Sequence, residues 1–234
     1  MTHRAVKNLA RSGTARSAPG RPTREKARQR HDELLDSALD LFLDKGYEQA
    51  TIEAIAASVG MTKRTVYARH ADKAALFKAT VQRAIERMIV PEATLKALEG
   101  AEFEAALAAV ARLRIEQIMT PAGLKMQRII NAESYRFPEI FTMAYEQSTR
   151  PIIEFIAGRL RREIAAGTIA VSDPDRAAAV FMSMVVGGPA RVIVSGNKLT
   201  RKDIEDRLQF AIRLFLDGAR VRGDRRRAEE PHGR

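Results

Sequence analysis

The segment Thr51–Lys73, which reads TIEAIAASVGMTKRTVYARHADK, constrains the fold more than any other part of the chain. The apolar residues of its first half recur at helical spacing and share one face: Ile52, Ile55, Ala56 and Val59. Gly60 follows, where the chain needs a residue that tolerates positive φ. Thr62 can cap a second short helix, in which Val66 points back onto the first. A helix, a glycine-containing turn and a second helix form a helix-turn-helix unit.

The second helix of this unit leaves a polar face that packing does not need. Its side chains are hydrogen-bond donors suited to DNA: Lys63, Arg64, Thr65 and Tyr67. A recognition helix enters the major groove with its first residues on the base edges, and Thr62 stands at the helix start. Lys63 and Arg64 suit the acceptors of guanine, and the methyl group of Thr65 suits thymine.

Residues around the unit form a longer pattern. It comprises Leu41-Phe42, Gly46-Tyr47, Thr51-Ile52, Ala54-Ile55-Ala56, Thr65-Val66-Tyr67, His70, Asp72-Lys73, Leu76 and Phe77. Over about 50 of the 234 residues, this pattern resembles the amino-terminal DNA-binding domain of the TetR family of bacterial transcriptional regulators. Ala71 stands where the family often has a polar residue or glycine, which leaves the start of the next helix to Asp72.

The resemblance implies further DNA-facing residues. Tyr67, His70 and Lys73 look like residues that contact the DNA backbone or set the register, and Thr51 would cap its helix toward a phosphate. Packing is the alternative role for Tyr67 and His70.

Charge and cysteine content limit the classes of protein open to this chain. Cysteine is absent, which excludes disulfides, thiolate metal sites and cysteine nucleophiles. The net charge of +11 lies at the two ends: residues 1–30 hold nine bases against one acid, and residues 218–234 hold six against three. No apolar run approaches the ~18 residues of a membrane span, and no apolar signal-peptide core stands near the start.

The first 25 residues mix Ser, Thr, Ala, Gly, Pro and Arg without periodicity, which indicates disorder. Three interpretations stay open for this segment. It is a solvated tail, or a basic arm that lies on phosphates or enters the minor groove. The third is an organellar transit peptide, since the segment is rich in arginine and poor in acids.

Helical periodicity continues along the chain and predicts an all-α fold. A first helix over about 28–45 buries one stripe: Leu34, Leu35, Ala38, Leu41 and Phe42. Asp72 opens a helix to about Ile89, and others are expected near 102–119, 122–135, 138–147, 150–166, 174–188 and 201–218. We expect a basic arm over 1–25, a three-helix helix-turn-helix domain over 26–73, a helical effector-binding and dimerisation domain over 74–218, and a basic tail over 219–234.

Residues 132–139, AESYRFPE, are similar to a motif in the TetR ligand domains called AefR-like. Apolar side chains on neighbouring helices could line an effector cavity there, although plain core is the alternative for each. The predicted pocket residues are Met126, Ile130, Asn131, Tyr135 and Met143. Met119, Phe141 and Tyr145 are further apolar candidates, and Glu133 is a second polar one.

A wide apolar stripe marks the last predicted helix. Its members are Ile204, Leu208, Ala211, Ile212 and Phe215. The stripe could bury itself within one chain or form a four-helix bundle across a two-fold axis, and the resemblance favours the bundle. A two-fold dimer predicts a palindromic operator with heads roughly 34–36 Å apart.

No catalytic or metal-binding motif accompanies these features, and the four histidines are scattered, so we expect no enzyme, no cofactor and no metal site. The hypothesis is a homodimeric regulator in the bacterial cytoplasm, associated with the nucleoid and not with membranes. It binds a double-stranded DNA operator as a repressor, and a small-molecule effector releases it by moving the Asp72–Ile89 helix. The rival is an architectural DNA-binding or anionic-surface-binding protein that depends on its basic tails.

Overall fold

Short polar side chains fix where several helices begin. The Asp72 carboxylate accepts a hydrogen bond from the Ala75 N–H at 2.7 Å, and the Thr120 hydroxyl accepts one from Gly123 at 3.0 Å. Thr200 and Asp203 form a reciprocal capping box. Each oxygen satisfies an N–H group that has no partner within the first helical turn. Asp72 therefore begins its helix as predicted.

A computed structural model describes residues 24–188 and 199–221. Its α-helices are α1 (Arg24–Gln49), α2 (Ile52–Ser58), α3 (Lys63–Tyr67), α4 (Lys73–Glu86), α5 (Glu92–Ala97), α6 (Phe103–Met119), α7 (Pro121–Glu133), α8 (Pro138–Ala144), α9 (Arg150–Ala165), α10 (Pro174–Met182) and α11 (Arg201–Ala219). Two π-helical segments, Tyr145–Thr149 and Ser183–Gly187, follow α8 and α10. Those residue ranges hold no β-strand, and the all-α prediction is confirmed.

Helix boundaries differ from the predicted ones in a few places. Gly46 has φ 75° and ψ 163°, which interrupts α1 at the predicted end, and one further turn then runs to Gln49. The short helix α5 was not predicted. Predictions for residues 1–23, for a break at Pro189, for the run 192–194 and for the tail beyond Val221 lie outside the described residues.

Helices α1 to α4 form what we call the head, and their shared core reaches beyond them. Phe42 of α1 and Phe77 of α4 meet edge to face with centroids 5.0 Å apart. Phe137, between α7 and α8, packs against Phe77 at 4.9 Å and against Tyr47 at 4.8 Å. Aromatic pairs of this geometry add to the gain from burial. The head thus shares its core with the helices that follow, and the predicted boundary at residue 73 stays a prediction.

Helices α5 to α11 form the body, whose own core lies between α6, α9, α10 and α11. Its fully buried side chains include Ile152, Ile156, Leu160 and Phe181. A second set of body residues, from α6, α7 and α8, packs instead into the core of the head: Ile118, Met126, Ile129 and Ile140. The helices α6 to α8 therefore lie between the two cores, which is where a cavity also opens.

Candidate nucleic-acid interface and ligand cavity

The turn between α2 and α3 has the predicted geometry. Gly60 adopts φ 62°, a conformation that side chains with a Cβ rarely adopt. The Met61 N–H then donates to the Ala56 carbonyl at 2.8 Å, which closes the turn. Ile55 and Val66 are fully buried across it. Burial of these two side chains holds α3 against α2 at a fixed angle.

Threonine hydroxyls cap both helices of the unit. Thr51 accepts from the Ala54 N–H at 3.2 Å, and Thr62 accepts from the Thr65 N–H at the same distance. The hydroxyls of Thr62 and Thr65 also share a hydrogen bond of 2.9 Å. All three threonines are exposed, so the structure holds their hydroxyls at the surface at the helix starts.

The exposed side of α3 carries the reading face, defined here as Thr62, Lys63, Arg64, Thr65 and Tyr67. Lys63 forms an ion pair with Glu53 of α2, and its ammonium lies 5.6 Å from the centroid of Tyr67. The hydrogen bond between the two charged groups raises the pKa of Lys63 and lowers that of Glu53. Arg64 forms no ion pair with any residue of the described ranges. A guanidinium without an intramolecular partner can donate to a base edge at no cost in lost contacts.

His70 lies inside the head with 7% of its surface exposed. Its ring stacks on that of His31 of α1, with centroids 5.3 Å apart. Burial is the main cause that lowers the pKa of both histidines, and the charge of Arg69 lowers both further. This position favours the packing alternative for His70, and a DNA contact at this residue stays a prediction.

Lys73 binds within its own chain. Its ammonium donates to the carbonyl oxygens of Glu48 and Ala50 at 3.0 and 3.1 Å, and it lies 4.5 Å from the centroid of Tyr47. A cation beside the last carbonyls of a helix satisfies acceptors that have no helical partner. Lys73 therefore ties the start of α4 to the end of α1, whatever contact it makes to DNA.

Two arginines that the sequence did not single out orient the unit. Arg30 of α1 donates to the Val59 carbonyl at 3.2 Å, and Arg69 donates back to the Ala27 carbonyl of α1 at 3.3 Å. Arg30 thus joins α1 to the start of the turn, and Arg69 joins the segment just beyond α3 to the first turn of α1. Nothing in the local sequence pattern indicates these bonds, since both residues look like surface charges.

A cavity of about 440 Å³ is lined by residues of the helices α6 to α10, by both π-helical segments and by Met88, just beyond the end of α4. Met126, Ile130 and Asn131 line it, and so do Phe141 and Tyr145. Tyr135 does not, because it follows the end of α7 and projects fully into solvent. Met143 does not either, because it packs against the core of the head. Glu133 accepts a hydrogen bond from the Tyr47 N–H, and Met119 lies in a different groove beside α11.

Arg114 of α6 is a cavity residue that sequence reasoning missed. It is 6% exposed, and burial lowers its pKa to about 10. Its guanidinium donates to the Met88 carbonyl at 3.3 Å, to Gln117 at 3.3 Å, and to the hydroxyls of Ser148 and Thr149 at 3.2 and 3.4 Å. Val110, Ala111 and Ile118 are apolar and lie on the same face of α6, so helical periodicity could have predicted a buried position at Arg114.

The apolar stripe of α11 is buried within its own chain. Ile204, Leu208, Ala211 and Ile212 are each 9% exposed or less, and the Phe215 ring packs 5.0 Å from Phe181. Leu208, Ala211 and Ile212 belong to the core of the body, whereas Ile204 lines a groove beside α6 and Phe215 is half-buried. These positions favour burial within one chain, and a dimer interface formed by this stripe stays a prediction.

The opposite face of the same helix exposes large apolar side chains. Phe210 is 61% exposed and Leu214 is 55% exposed, one helical turn apart on α11. Val180 of α10 is 49% exposed. Within the described residues, these three are the large apolar side chains of α10 and α11 that are exposed.

Metal-binding and membrane-spanning features are not among the described parts of the molecule. Over 24–188 and 199–221, no three His, Asp or Glu side chains lie close enough together to hold a metal ion. No helix in those ranges combines the length and the apolar character that crossing a bilayer requires.

The fold and the two sites define a class of protein: a helix-turn-helix head, which includes α4, packed against a helical body that contains a cavity. The family model described as "Bacterial regulatory proteins, tetR family" matches residues 34–80. The model described as "AefR-like transcriptional repressor, C-terminal domain" matches residues 105–218. The chain belongs to the TetR family of transcriptional regulators, a family of DNA-binding regulators and not of enzymes.

Individual relatives agree with this assignment. The regulator TcmR of Streptomyces glaucescens is 31% identical over 162 residues, which cover 65% of this chain and 67% of TcmR. The solved structure of the flavonoid-responsive regulator FrrA is 30% identical, with a TM-score of 0.63 over 83% of this chain and 99% of FrrA. A TetR-family regulator from Mesorhizobium loti has a TM-score of 0.68 and 25% identity over 86% of this chain and all of its own.

Proposed function

We propose that this protein is a homodimeric repressor, released from a palindromic operator when a small molecule occupies the cavity of the body. The observation that carries the proposal is the position of Met88. Met88 lies just beyond the end of α4 and lines the cavity, while α4 begins shortly after the reading helix α3. One helix thus joins the cavity to the DNA-facing surface.

Ion pairs between α1 and the C-terminal end of α4 support movement of these two helices as one body. Arg83 of α4 contacts Asp32 at 2.8 Å and Asp36 at 3.2 Å, and Arg87 contacts Asp36 at 2.8 Å. Although burial raises the pKa of Asp36, the bonds from Arg87 and Arg83 lower it below its usual value. Since α1 packs along α4 and carries the helix-turn-helix through Arg30 and Arg69, a shift of α4 shifts the reading face with it.

The first π-helical segment, which contributes residues to the cavity wall, also contacts α4 through a polar pair. Gln82 of α4 and Gln147 of the π-helical segment exchange hydrogen bonds of 2.9 and 3.1 Å. Ser148 and Thr149 of that segment line the cavity. A ligand that binds more tightly to one position of this segment shifts the equilibrium of α4 by its difference in affinity, typically about 1–3 kcal/mol.

The DNA contacts that we propose are those of the reading face, with Thr51 beside it. Arg64 reads a guanine, Lys63 and Thr65 contact neighbouring bases, and Thr51, Thr62 and Tyr67 bind phosphates. Lys73 and His70 position the head and do not contact DNA directly. Lys73 binds the carbonyl oxygens at the end of α1, and His70 packs on His31. Two copies of the head on a two-fold axis read the halves of a palindrome.

The exposed apolar face of Phe210, Leu214 and Val180 supports dimerisation through α10 and α11. Repression is supported by the family description of the body, which names a transcriptional repressor. A small organic effector is supported by the similarity to FrrA, which is named as flavonoid-responsive. The site of action follows from the target: bacterial chromosomal DNA in the cytoplasm.

Selection of bound duplexes from a random DNA library, with the full chain at near-physiological salt, tests the proposal. We expect an enriched palindrome with half-sites about one helical turn apart, roughly 34–36 Å. Binding to the selected duplex should survive an increase in salt better than binding to random DNA. Enrichment of no sequence, with binding that collapses in salt and disappears when residues 1–25 are removed, would favour the architectural alternative instead.

A further inference from the structure

Arg114 is an unusual residue to find in the wall of an apolar cavity. Its side chain is 6% exposed, so its charge has lost nearly all contact with solvent. Burial of a guanidinium without a counter-charge is unfavourable, which is why the pKa of Arg114 falls to about 10. A charged group in such a position needs a counter-charge or strong hydrogen bonds to offset its burial.

No acid balances this charge within the described residues. The four groups that accept its hydrogen bonds are neutral: the Met88 carbonyl, the Gln117 amide and the hydroxyls of Ser148 and Thr149. The remaining polar groups of the cavity wall are neutral as well: Gln127, Asn131, Tyr145 and Ser183. The segment 189–198 contains no Asp or Glu in its sequence.

Arg159 gives a direct comparison, because it is equally buried but differently bonded. Its guanidinium donates to the carbonyls of Leu98, Glu99 and Ala101 at 2.9, 2.8 and 2.7 Å, which closes the connection after α5. The bonds of Arg114 are all 3.2–3.4 Å long and spread over four groups. Arg159 therefore has a structural role that its short bonds explain, and the longer bonds of Arg114 leave its charge weakly satisfied.

We propose that the effector is a lipophilic organic acid whose carboxylate pairs with Arg114. Charge-assisted bonds between a guanidinium and a carboxylate are the strong ones, and a carboxylate supplies the counter-charge that the cavity lacks. The rest of the wall fits an apolar ligand body, since Ile118, Met126 and Ile153 line it. This inference rests on the proposed function, because it takes the cavity to be the effector site.

The same pairing gives the effector a direct connection to α4. Arg114 holds the Met88 carbonyl, and the Met88 N–H in turn donates to Ile85 of α4 at 2.7 Å. A carboxylate is a stronger acceptor than a peptide carbonyl. When it attracts the guanidinium, the bond to Met88 is lost and the end of α4 is released. Ligand-free and ligand-bound states then differ in a contact that the ligand itself controls.

The test compares matched acids and amides as probes. Benzoate, cinnamate and 1-naphthoate are titrated into the full-length protein beside benzamide, cinnamamide and 1-naphthamide, with binding followed by calorimetry and thermal melting at fixed ionic strength. We expect at least one acid to bind saturably and about tenfold or more tightly than its amide. That preference should be lost in Arg114→Met and kept in Arg161→Met, since Arg161 is an exposed arginine of α9 that does not line the cavity.

Each other outcome contradicts the inference. It fails when no acid is preferred over its amide in the wild-type protein, a result that needs no variant. It also fails when the preference persists in Arg114→Met. Should that variant not fold, Arg114→Lys keeps the charge but not the bidentate fork, and an unchanged acid affinity in it would count against the proposed pairing.

Measuring release from the operator distinguishes failure of this inference from failure of the proposed function. Neutral compounds that release the wild type and Arg114→Met from the selected operator equally well leave the repressor proposal standing and remove the acid requirement. An acid that binds through Arg114 but never releases the operator leaves the pairing standing and removes the switch. Absence of any selected operator removes the repressor proposal without bearing on acid binding.

Discussion

The imidazole ring of His70 stacks on that of His31, with the ring planes 15° apart, and so joins the segment after the reading helix to α1. The Nδ1 atom of His31 and the Nε2 atom of His70 are buried and have no hydrogen-bond partner among the residues that the structure describes. The groups that face the pair are mostly cations: Arg69 and Arg83 lower the pKa of His31, and Asp32 raises it. The pair is therefore adapted to the neutral form of both rings.

Acidification should destabilise the head through this pair. The folded-state pKa of both histidines lies below the ordinary value of about 6.5, so the unfolded chain binds protons first. Their contribution is complete above about pH 6.5 and is lost as the pH falls toward the lowered folded values. We expect the melting temperature to fall between pH 7 and pH 5, and this fall to be smaller in His70→Phe, which keeps a ring in the stack. His70→Gln provides a second uncharged variant, and an unchanged pH profile in both would contradict the prediction.

Truncation of Arg64 should weaken operator binding without affecting the fold. Arg64→Ala is expected to lose about 1–3 kcal/mol of binding free energy, concentrated at one base position of each half-site. Its melting temperature should match that of the wild type, because the side chain is exposed and bonds to no described residue. Fluorescence anisotropy on the selected operator measures the loss of affinity, and the same measurement on single-base variants shows at which base position the loss occurs. Arg161→Ala, at an exposed arginine of α9, serves as the control, and an equal loss on all sequences would indicate a phosphate contact instead.

Lys73 should affect stability and DNA binding together. Lys73→Met removes two charge-assisted bonds to the last carbonyls of α1 and should cost about 1–3 kcal/mol of unfolding free energy. Operator affinity should fall in the same variant, because the end of α1 and the start of α4 are no longer joined. Chemical denaturation measures the change in unfolding free energy, and operator titration measures the change in affinity. Lost affinity with unchanged stability would assign Lys73 to the DNA backbone, as the family resemblance first indicated.

The exposed face of α11 should control oligomeric state. Phe210→Ser with Leu214→Ser is expected to give a folded monomer, because both side chains are more than half exposed and contribute little to the core. Light scattering after size exclusion measures the mass, and affinity for the full palindrome should fall toward that for a half-site. Leu208→Ala, on the buried face, should instead destabilise the chain by about 2–5 kcal/mol. A double variant that stays dimeric would place the interface elsewhere.

Gly123 should tolerate no side chain. A Cβ atom there would lie 2.2 Å from the Gln117 carbonyl oxygen and 2.6 Å from that of Ile118, so the turn between α6 and α7 must shift. We expect Gly123→Ala to cost about 1–3 kcal/mol of stability, as overpacked sites do. Gly158→Ala is the matched control, because no atom lies within 4 Å of its Cβ position and alanine favours the helix. Equal melting temperatures for the two variants would contradict the prediction.

The sequence by itself determined the features that depend on neighbours along the chain. The turn at Gly60, the caps at Thr62 and Asp72, and the buried faces around Ile55 and Val66 all follow from short-range spacing and backbone preference. The reading face could be predicted for the same reason, since a short helix with one buried side chain leaves the others outside. The family and the all-α fold rest on these local patterns.

Tertiary structure alone decided the properties that depend on contacts between distant segments. Local spacing does not show that His70 stacks on His31 inside the head, or that Leu208 packs into the core of the body. Arg114 reads as an ordinary helical arginine in the sequence, and only packing against Met88 and Ser148 makes it a buried charge in a cavity wall. Periodicity tells which side of a helix is apolar, whereas burial and charge balance depend on which other segment covers that side.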